Sequence, residues 1–154
     1  MAAPAGSAAA PADDGSTASA ARAGSFGAAI VAELNRIRGR AGLAPVRPDA
    51  RMSRTATAHS RDMSRRGYFA HGAWGSRVAR ASGSARSVGE VLGWMARSSP
   101  RREARQMVRG WLDSPPHRHV LLDPSFRRVG LGRATGRLQG RDAAIWTVDW
   151  ASAR

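Results

Sequence analysis

Two histidines and one glutamate occupy the positions of this chain best suited to chemistry. His71 follows the aromatic pair Tyr68-Phe69 at a predicted turn, and His117 directly follows a double proline that fixes its direction. Glu90 lies between glycines in an apolar segment, where a carboxylate must be paired or serve a site because an unpaired buried charge is costly. Two imidazoles and a carboxylate could hold zinc with a water at the open position. Glu90 could equally act as a general base on a water that the histidines hold or polarise.

Each of these side chains also has a structural interpretation. Glu90 could form an ion pair with one of the many Arg residues. Glu33 and Glu103 lie on predicted helices, where an exposed face is the ordinary explanation. His59 lies on the apolar stripe of a helix pattern, which is more typical of a hydrogen-bonded core histidine than of a ligand. The sequence contains no H-E-x-x-H pattern, no nucleophile elbow and no phosphate-binding glycine loop. Spacing alone therefore leaves a metal site, a general base and an ion pair open.

The elements that must position these residues are helices first and antiparallel strands last. Apolar side chains at helical spacing predict helices over 30–37, 49–67 and 104–111, and residues 75–82 could form a short helix before Gly83. Short apolar segments lie at 88–93, 128–132 and 144–150, the last two predicting a hairpin. This order indicates α+β packing. His119 shares a face with His117 only if their segment is a strand. Gly130 and Gly132 lie in a strand, where close backbone packing explains them better than phosphate binding.

Composition and charge restrict the class of protein. The 154 residues carry 25 basic side chains, all of them Arg, against 11 acidic ones, for a net charge of +14. The absence of Cys excludes a disulfide framework and a thiolate metal site. No apolar run approaches the ~18 residues of a membrane-spanning helix. The excess charge favours acidic partners such as nucleic acid, anionic lipid or an anionic wall polymer. The largest Arg cluster is interpreted as a solvated helix face: Arg97, Arg101, Arg102, Arg105 and Arg109.

The N-terminal segment differs in composition from the rest of the chain. Residues 1–24 are rich in Ala, Gly, Ser and Pro, and we predict a disordered tail because they cannot bury enough surface to offset chain entropy. They lack the basic leader and apolar stretch of a signal peptide, but resemble a tether that follows a removed leader. Folding is predicted to begin near Ser25, which gives a single domain over 25–154.

Seven motifs occur in an order and spacing that resemble one family. They are L-N-x-x-R near Leu34, A-x-x-H-S-R-D-M at 56–63, G-Y-F-A-H at 67–71, G-E-V at 89–91, W-L-D-S-P-P-H-R at 111–118, F-R-R-V-G-L-G at 126–132 and I-W-T-V-D-W at 145–150. Over about residues 28–150 the chain resembles the bacterial branch of the CAP superfamily, the cysteine-rich secretory, antigen-five and pathogenesis-related (SCP-like) proteins.

The resemblance implies an α+β fold, an α-β-α sandwich with a small antiparallel sheet between helical layers. It implies a secreted protein, extracellular or associated with the cell envelope. It also implies a cleft of two His and two acidic residues that binds a divalent metal in some members, which makes zinc or another divalent ion the candidate cofactor. His71 and His117 match the histidines, and Glu90 matches one acid. Ser114 replaces the second acid and Val91 replaces an Asn, so a metal is expected to bind more weakly.

The favoured function is a secreted, monomeric CAP-domain binding module that recognises an envelope ligand, lipid or protein. No general enzymatic activity is established for the family, and two alternatives stay open. One is a metal-assisted hydrolase that uses His71, Glu90 and His117, with Ser114 in the same cleft but without the third group that would activate it as a nucleophile. The other is an electrostatic polyanion binder, which should show steep salt dependence. Some apolar side chains could line a lipid groove, although core packing is the simpler account: Trp74, Trp94, Met95 and Trp150.

Overall fold

The computed structural model describes residues 15–154, which form five helices and four strands. The helices are α1 (Gly15–Arg40), α2 (Ala50–Arg66), α3 (Trp74–Ser82), α4 (Pro100–Asp113) and α5 (Pro115–Leu121). The strands are β1 (Arg47–Pro48), β2 (Val88–Met95), β3 (Phe126–Leu138) and β4 (Arg141–Ser152), in the sheet order β1-β3-β4-β2. Helices α2 and α3 cover one face of the sheet, and α1, α4 and α5 cover the other. The predicted α+β fold, an α-β-α sandwich, is confirmed.

The sheet is mixed, whereas the resemblance implies an antiparallel one. Strands β3 and β4 form the predicted hairpin, closed by Gln139 and Gly140 with φ angles of 51° and 75°. Strand β2 pairs antiparallel with β4 and forms one edge of the sheet. Strand β1 pairs parallel with β3 over two residues only. It ends at once because Pro48 has no N–H to donate and Asp49 already caps α2.

The predicted helices are present, with a difference at the N-terminus. Helix α2 has the predicted ends: Asp49 accepts hydrogen bonds from the first-turn amides, and Gly67 adopts a left-handed conformation at the C-terminus. Helix α1 begins at Gly15, inside the segment predicted to be a disordered tail. Alanine has the highest helix propensity, and extending a helix costs far less than starting one. The prediction for residues 1–14 lies outside the described residues.

The segment after the double proline is a further helix, α5, which the sequence pattern does not predict. Pro115 and Pro116 open it, because the fixed φ of proline suits the first turn of a helix. His117 and His119 therefore point in different directions. His117 is half-buried beside β2, and His119 is exposed.

Two polar side chains of α1 prove to be structural anchors. Asn35 exchanges two hydrogen bonds with the backbone of Val46, at 2.8 and 3.0 Å. Arg38 is fully buried and donates to four backbone carbonyls, one in the loop after α1 and three between the last residue of α5 and the first residue of β3. Burial lowers the pKa of Arg38. The L-N-x-x-R motif therefore fixes loops rather than a ligand.

Glu103 is buried, which corrects the expectation of an exposed helix face. Its carboxylate accepts two hydrogen bonds from the Arg133 guanidinium, at 2.7 and 3.0 Å, and one from the indole N–H of Trp146. The same guanidinium lies 3.7 Å from the ring centroid of Phe26 on α1. Glu103 thereby ties α4 to two neighbouring strands, where a buried charge needs such partners.

Helix α2 packs on β3 without intervening side chains, which confirms the interpretation of the two strand glycines as close packing. A Cβ added at Gly130 would overlap Met52, and one at Gly132 would overlap the backbone of Ala56. Hydroxyls of α2 then reach β3 directly: Ser60 donates to the carbonyl of Gly132 at 3.2 Å. Backbone groups of β3 beyond the short β1 are satisfied in this way.

We expect Gly132→Ala to lower the free energy of unfolding by about 2–3 kcal/mol, because helix backbone cannot move aside as a side chain can. Gly39→Ala is the matched control: its Cβ would meet nothing within 4 Å, so the change should be neutral or slightly stabilising. Urea unfolding of both variants measures this. Equal stability of the two variants would contradict the close packing of α2 on β3.

Candidate functional site

The predicted site residues lie along the outer edge of β2. The carbonyl of Leu92 accepts a hydrogen bond from the Trp111 indole at 2.8 Å, so it points away from β4. In an antiparallel pair, the residues two positions away along the strand share this orientation. Glu90 and Asp149, which are register partners, therefore form a non-hydrogen-bonded pair, the kind in which side chains approach most closely.

Glu90 is buried and both of its oxygens are occupied. Its side chain is 0% exposed. The Nδ1 atom of His71 lies 2.7 Å from one carboxylate oxygen, and the Arg77 guanidinium pairs with the other. Arg77 also donates to the backbone carbonyl of His71 at 3.2 Å. The ion pair with Arg77 that the sequence leaves open is present, and Glu90 also contacts His71. A cleft that unites both with His117 stays a prediction.

Asp149 is a second buried acid beside Glu90, and it is not among the residues predicted from the sequence. It is 0% exposed, and neither of its carboxyl oxygens has a hydrogen-bond donor among the described residues. Burial, and then the charge of Glu90, raise the pKa of Asp149 to about 8. A proton on Asp149 lets it donate to Glu90. The sequence signal that could have identified Asp149 is a carboxylate within an apolar strand, which is the kind of signal that identifies Glu90.

His59 supports the loop that carries His71. It is 7% exposed, and its Nε2 lies 3.0 Å from the carbonyl of Ala70. Burial, assisted by the charge of Arg77, lowers the pKa of His59, so its neutral form donates to that carbonyl at neutral pH. The prediction of a hydrogen-bonded core histidine is confirmed.

His117, on α5, lies near His71. Burial lowers the pKa of His117, and the charge of the nearby His71 lowers it further. His117 and Ser114 line a groove of about 310 Å³, together with side chains of β2 and α4: Leu92, Gly93, Trp94, Met95, Gln106, Met107, Gly110 and Trp111. Of the four apolar candidates for a lipid groove, Trp94 and Met95 line it, whereas Trp74 and Trp150 pack in cores.

The arrangement does not fit a three-ligand metal site. Within the described part of the chain, no three His, Asp or Glu side chains are placed to hold one metal ion. Glu90 is engaged by His71 and by Arg77, whose positive charge opposes a cation next to it. Zinc binding by His71 and His117 stays a prediction.

The fold and these motifs define the class of protein: the chain belongs to the CAP, or cysteine-rich secretory protein, family, whose model matches residues 31–150. It is 28% identical over 123 residues to the uncharacterized protein YkwD of Bacillus subtilis (strain 168), an alignment that covers 77% of this chain and 44% of that protein. An extracellular SCP-domain protein from Bacillus anthracis str. Ames matches with a TM-score of 0.62 at 29% identity, over 80% of this chain and 39% of that one.

A third relative shares the fold alone. An outer surface protein from Borrelia burgdorferi matches with a TM-score of 0.67 at 16% identity, over 84% of this chain and 93% of that one. The chain spans less than half the length of the two Bacillus relatives. In the described residues, no helix has the length and apolar character needed to span a membrane.

We expect Asp149→Asn to stabilise the protein increasingly as pH rises from about 5 to about 9, by roughly 5 °C in Tm at the upper end. Between the unfolded pKa near 4 and the folded pKa of about 8, the folded state holds the Asp149 proton more tightly, so wild-type stability falls as pH rises. Asn cannot ionise, and its amide can donate to Glu90. Thermal unfolding across this pH range measures the difference.

The other ionisable groups around Asp149 are Glu90, Arg77, His59 and His71, and all remain in the variant. The difference between variant and wild type therefore isolates Asp149. Asp142→Asn, an exposed change on the same strand, is the control and should show no such trend. A pH-independent difference for Asp149→Asn would contradict the raised pKa of Asp149.

Proposed function

We propose that the protein is an extracellular or envelope-associated binding module whose site is the cleft beside β2. One observation supports this above others: an apolar groove of about 310 Å³ opens next to His117. This volume is at the lower end of the range for small-molecule sites. The location is supported by the relative from Bacillus anthracis, which is described as an extracellular protein. Fractionation of the native host checks it: we expect the chain in the medium or envelope, and a cytoplasmic location would contradict the proposal.

The groove lining indicates the chemistry of the ligand. Trp94 and Met95 are half-buried and leave apolar surface that a ligand can cover. Ser114 and His117 add a hydroxyl and an imidazole. Because burial disfavours the charged form of His117, an anionic group there would restore its proton through a charge-assisted hydrogen bond. The ligand is therefore amphiphilic, with a short acyl chain and an anionic head.

The hydrolase alternative has less support. A general base needs a free oxygen within reach of a water. Glu90 instead accepts from His71 with one oxygen and pairs with Arg77 through the other. Asp149 lies behind Glu90 in the sheet and is fully buried. Binding of a ligand needs no free base. In a binding module, Glu90 would serve to hold His71 in one orientation.

We expect decanoate to bind the wild-type chain and to bind Gly110→Leu at least roughly tenfold more weakly, as measured by calorimetry. Gly110 lines the groove, and a Cβ there meets nothing within 4 Å, so a larger side chain fills the groove without disturbing the core. Gly39→Leu adds the same side chain at another open helical position and should bind as wild type does.

The two histidines of α5 separate the head-group contact from general charge. His117→Ala should weaken decanoate binding by about tenfold, the worth of a charge-assisted hydrogen bond. His119→Ala removes an exposed histidine outside the groove and should have no effect. Unchanged binding in Gly110→Leu, or no binding of decanoate to the wild type, would contradict the proposed ligand. Loss of binding on chelation of metals would contradict the direct contact between the anionic head and His117.

A further inference from the structure

A second groove runs between α1 and α4, in the layer on the opposite face of the sheet from α2 and α3. Two adjoining cavities of about 500 and 260 Å³ share Glu33, Arg36 and Arg105 in their lining. Arg101 extends this groove at one end, and Arg40 and Arg109 extend it at the other. None of these residues lines the cleft beside β2, so the two surfaces are separate.

The charge of the groove is strongly positive. Among the described lining residues, Glu33 is the one acid, and it is already held by Arg36 through its Nε at 2.9 Å and a second, shorter contact. The hydrogen bond from Arg36, together with the charges of Arg105 and Arg40, lowers the pKa of Glu33. Among residues 24–154, no carboxylate forms an ion pair with the remaining four: Arg40, Arg101, Arg105 and Arg109.

The Arg side chains are arranged in rows. Arg101, Arg105 and Arg109 recur every four residues on the exposed side of α4, which places successive side chains about 6 Å apart along the helix. Arg36 and Arg40 repeat this spacing on α1. Two facing rows of guanidinium groups match a chain that carries an anionic group at each repeat. Guanidinium also binds phosphate through two parallel hydrogen bonds.

The side chains at the floor of the groove indicate which class of anionic polymer it can bind. It is made of small or aliphatic side chains and has no aromatic residue in its lining: Ala29, Ala32, Ala104, Val108 and Leu112. Recognition of single-stranded nucleic acid normally uses aromatic side chains on which bases stack. A recess between two helices also receives a chain better than it receives a flat membrane surface.

We propose that the α1–α4 groove binds a linear polymer of phosphodiester-linked polyol units, which carries one negative charge per repeat and no bases. This site goes beyond the amphiphile cleft, because it uses other residues and a different kind of contact. The proposal gives a function to part of the net charge of +14. The Arg residues of α4 that it uses are interpreted from the sequence alone as a solvated helix face.

The experiment titrates poly(glycerol phosphate) into the full chain and into two triple variants of equal charge. The groove variant is Arg101→Gln, Arg105→Gln and Arg109→Gln. The control, on the opposite side of the sheet, is Arg51→Gln, Arg54→Gln and Arg61→Gln, all exposed on α2. Gln and Arg have similar helix propensity, so both variants should fold, which circular dichroism and Tm check.

We expect the groove variant to bind at least roughly tenfold more weakly than the control. Its plot of log affinity against log salt should lose about two units of slope that the control retains, because three charges contribute about 0.7 each through counterion release. Gly110→Leu should bind the polymer as the wild type does, which separates this test from that of the cleft.

Three results would overturn the proposal. Equal weakening in both triple variants would mean that attraction is diffuse. Tighter binding of a single-stranded oligonucleotide of the same charge, lost in the groove variant, would reassign the groove to nucleic acid. Binding of vesicles with anionic lipid through the same three Arg residues, with no binding of the polymer, would reassign it to a membrane surface.

Discussion

The burial of β4 on both faces is the constraint on which the rest of the structure depends. From Ala143 to Ser152 every residue of this strand is buried, so a polar side chain on it is costly unless it finds a partner in a neighbouring layer or strand. The indole of Trp146 donates to Glu103 of α4, and the hydroxyl of Thr147 forms a hydrogen bond with that of Ser60 of α2. These contacts fix both helical layers against the sheet in addition to apolar packing, which by itself has no direction.

The buried acids Glu90 and Asp149 need compensation in the same way, and they connect β4 to the edge strand β2. Glu90 lies beside Asp149 across the β2–β4 pair, and two adjacent buried carboxylates cannot both stay charged without compensation. Arg77 supplies one positive charge, and a proton on Asp149 removes the second negative one. Because Arg77 and Glu90 also hold the loop of His71, solving the electrostatic problem inside the sheet positions a histidine at its surface. The position of His71 is thus a consequence of how the interior is neutralised.

Periodicity and capping residues predict most of the fold, because each acts over a few neighbouring residues. Asp49 and Gly67 mark the ends of α2 by local chemistry alone. The features that the sequence does not predict depend on contacts between distant residues or on elements too short to show a pattern. Strand β1 is too short to show a pattern, and α5 begins at prolines that also end α4. The burial of Glu103 is missed because its Arg-rich helix conceals which side meets the sheet, and Asp149 gains its significance only from register with β2.

Helix α4 links the two proposed surfaces, since its sides face three environments. Glu103 anchors it to β3 and β4, Gly110 and Trp111 line the apolar cleft, and the row from Arg101 to Arg109 lines the basic groove. Four of the buried and half-buried acids, Glu33, Asp49, Glu90 and Glu103, each form an ion pair with an Arg, and none of these pairs involves Arg40, Arg101, Arg105 or Arg109. Positive charge therefore accumulates where two helices place Arg rows side by side. If the groove were only a solvated surface, the two facing Arg rows would destabilise it, because like charges repel. An anionic chain bound between the rows would remove this repulsion by pairing with both.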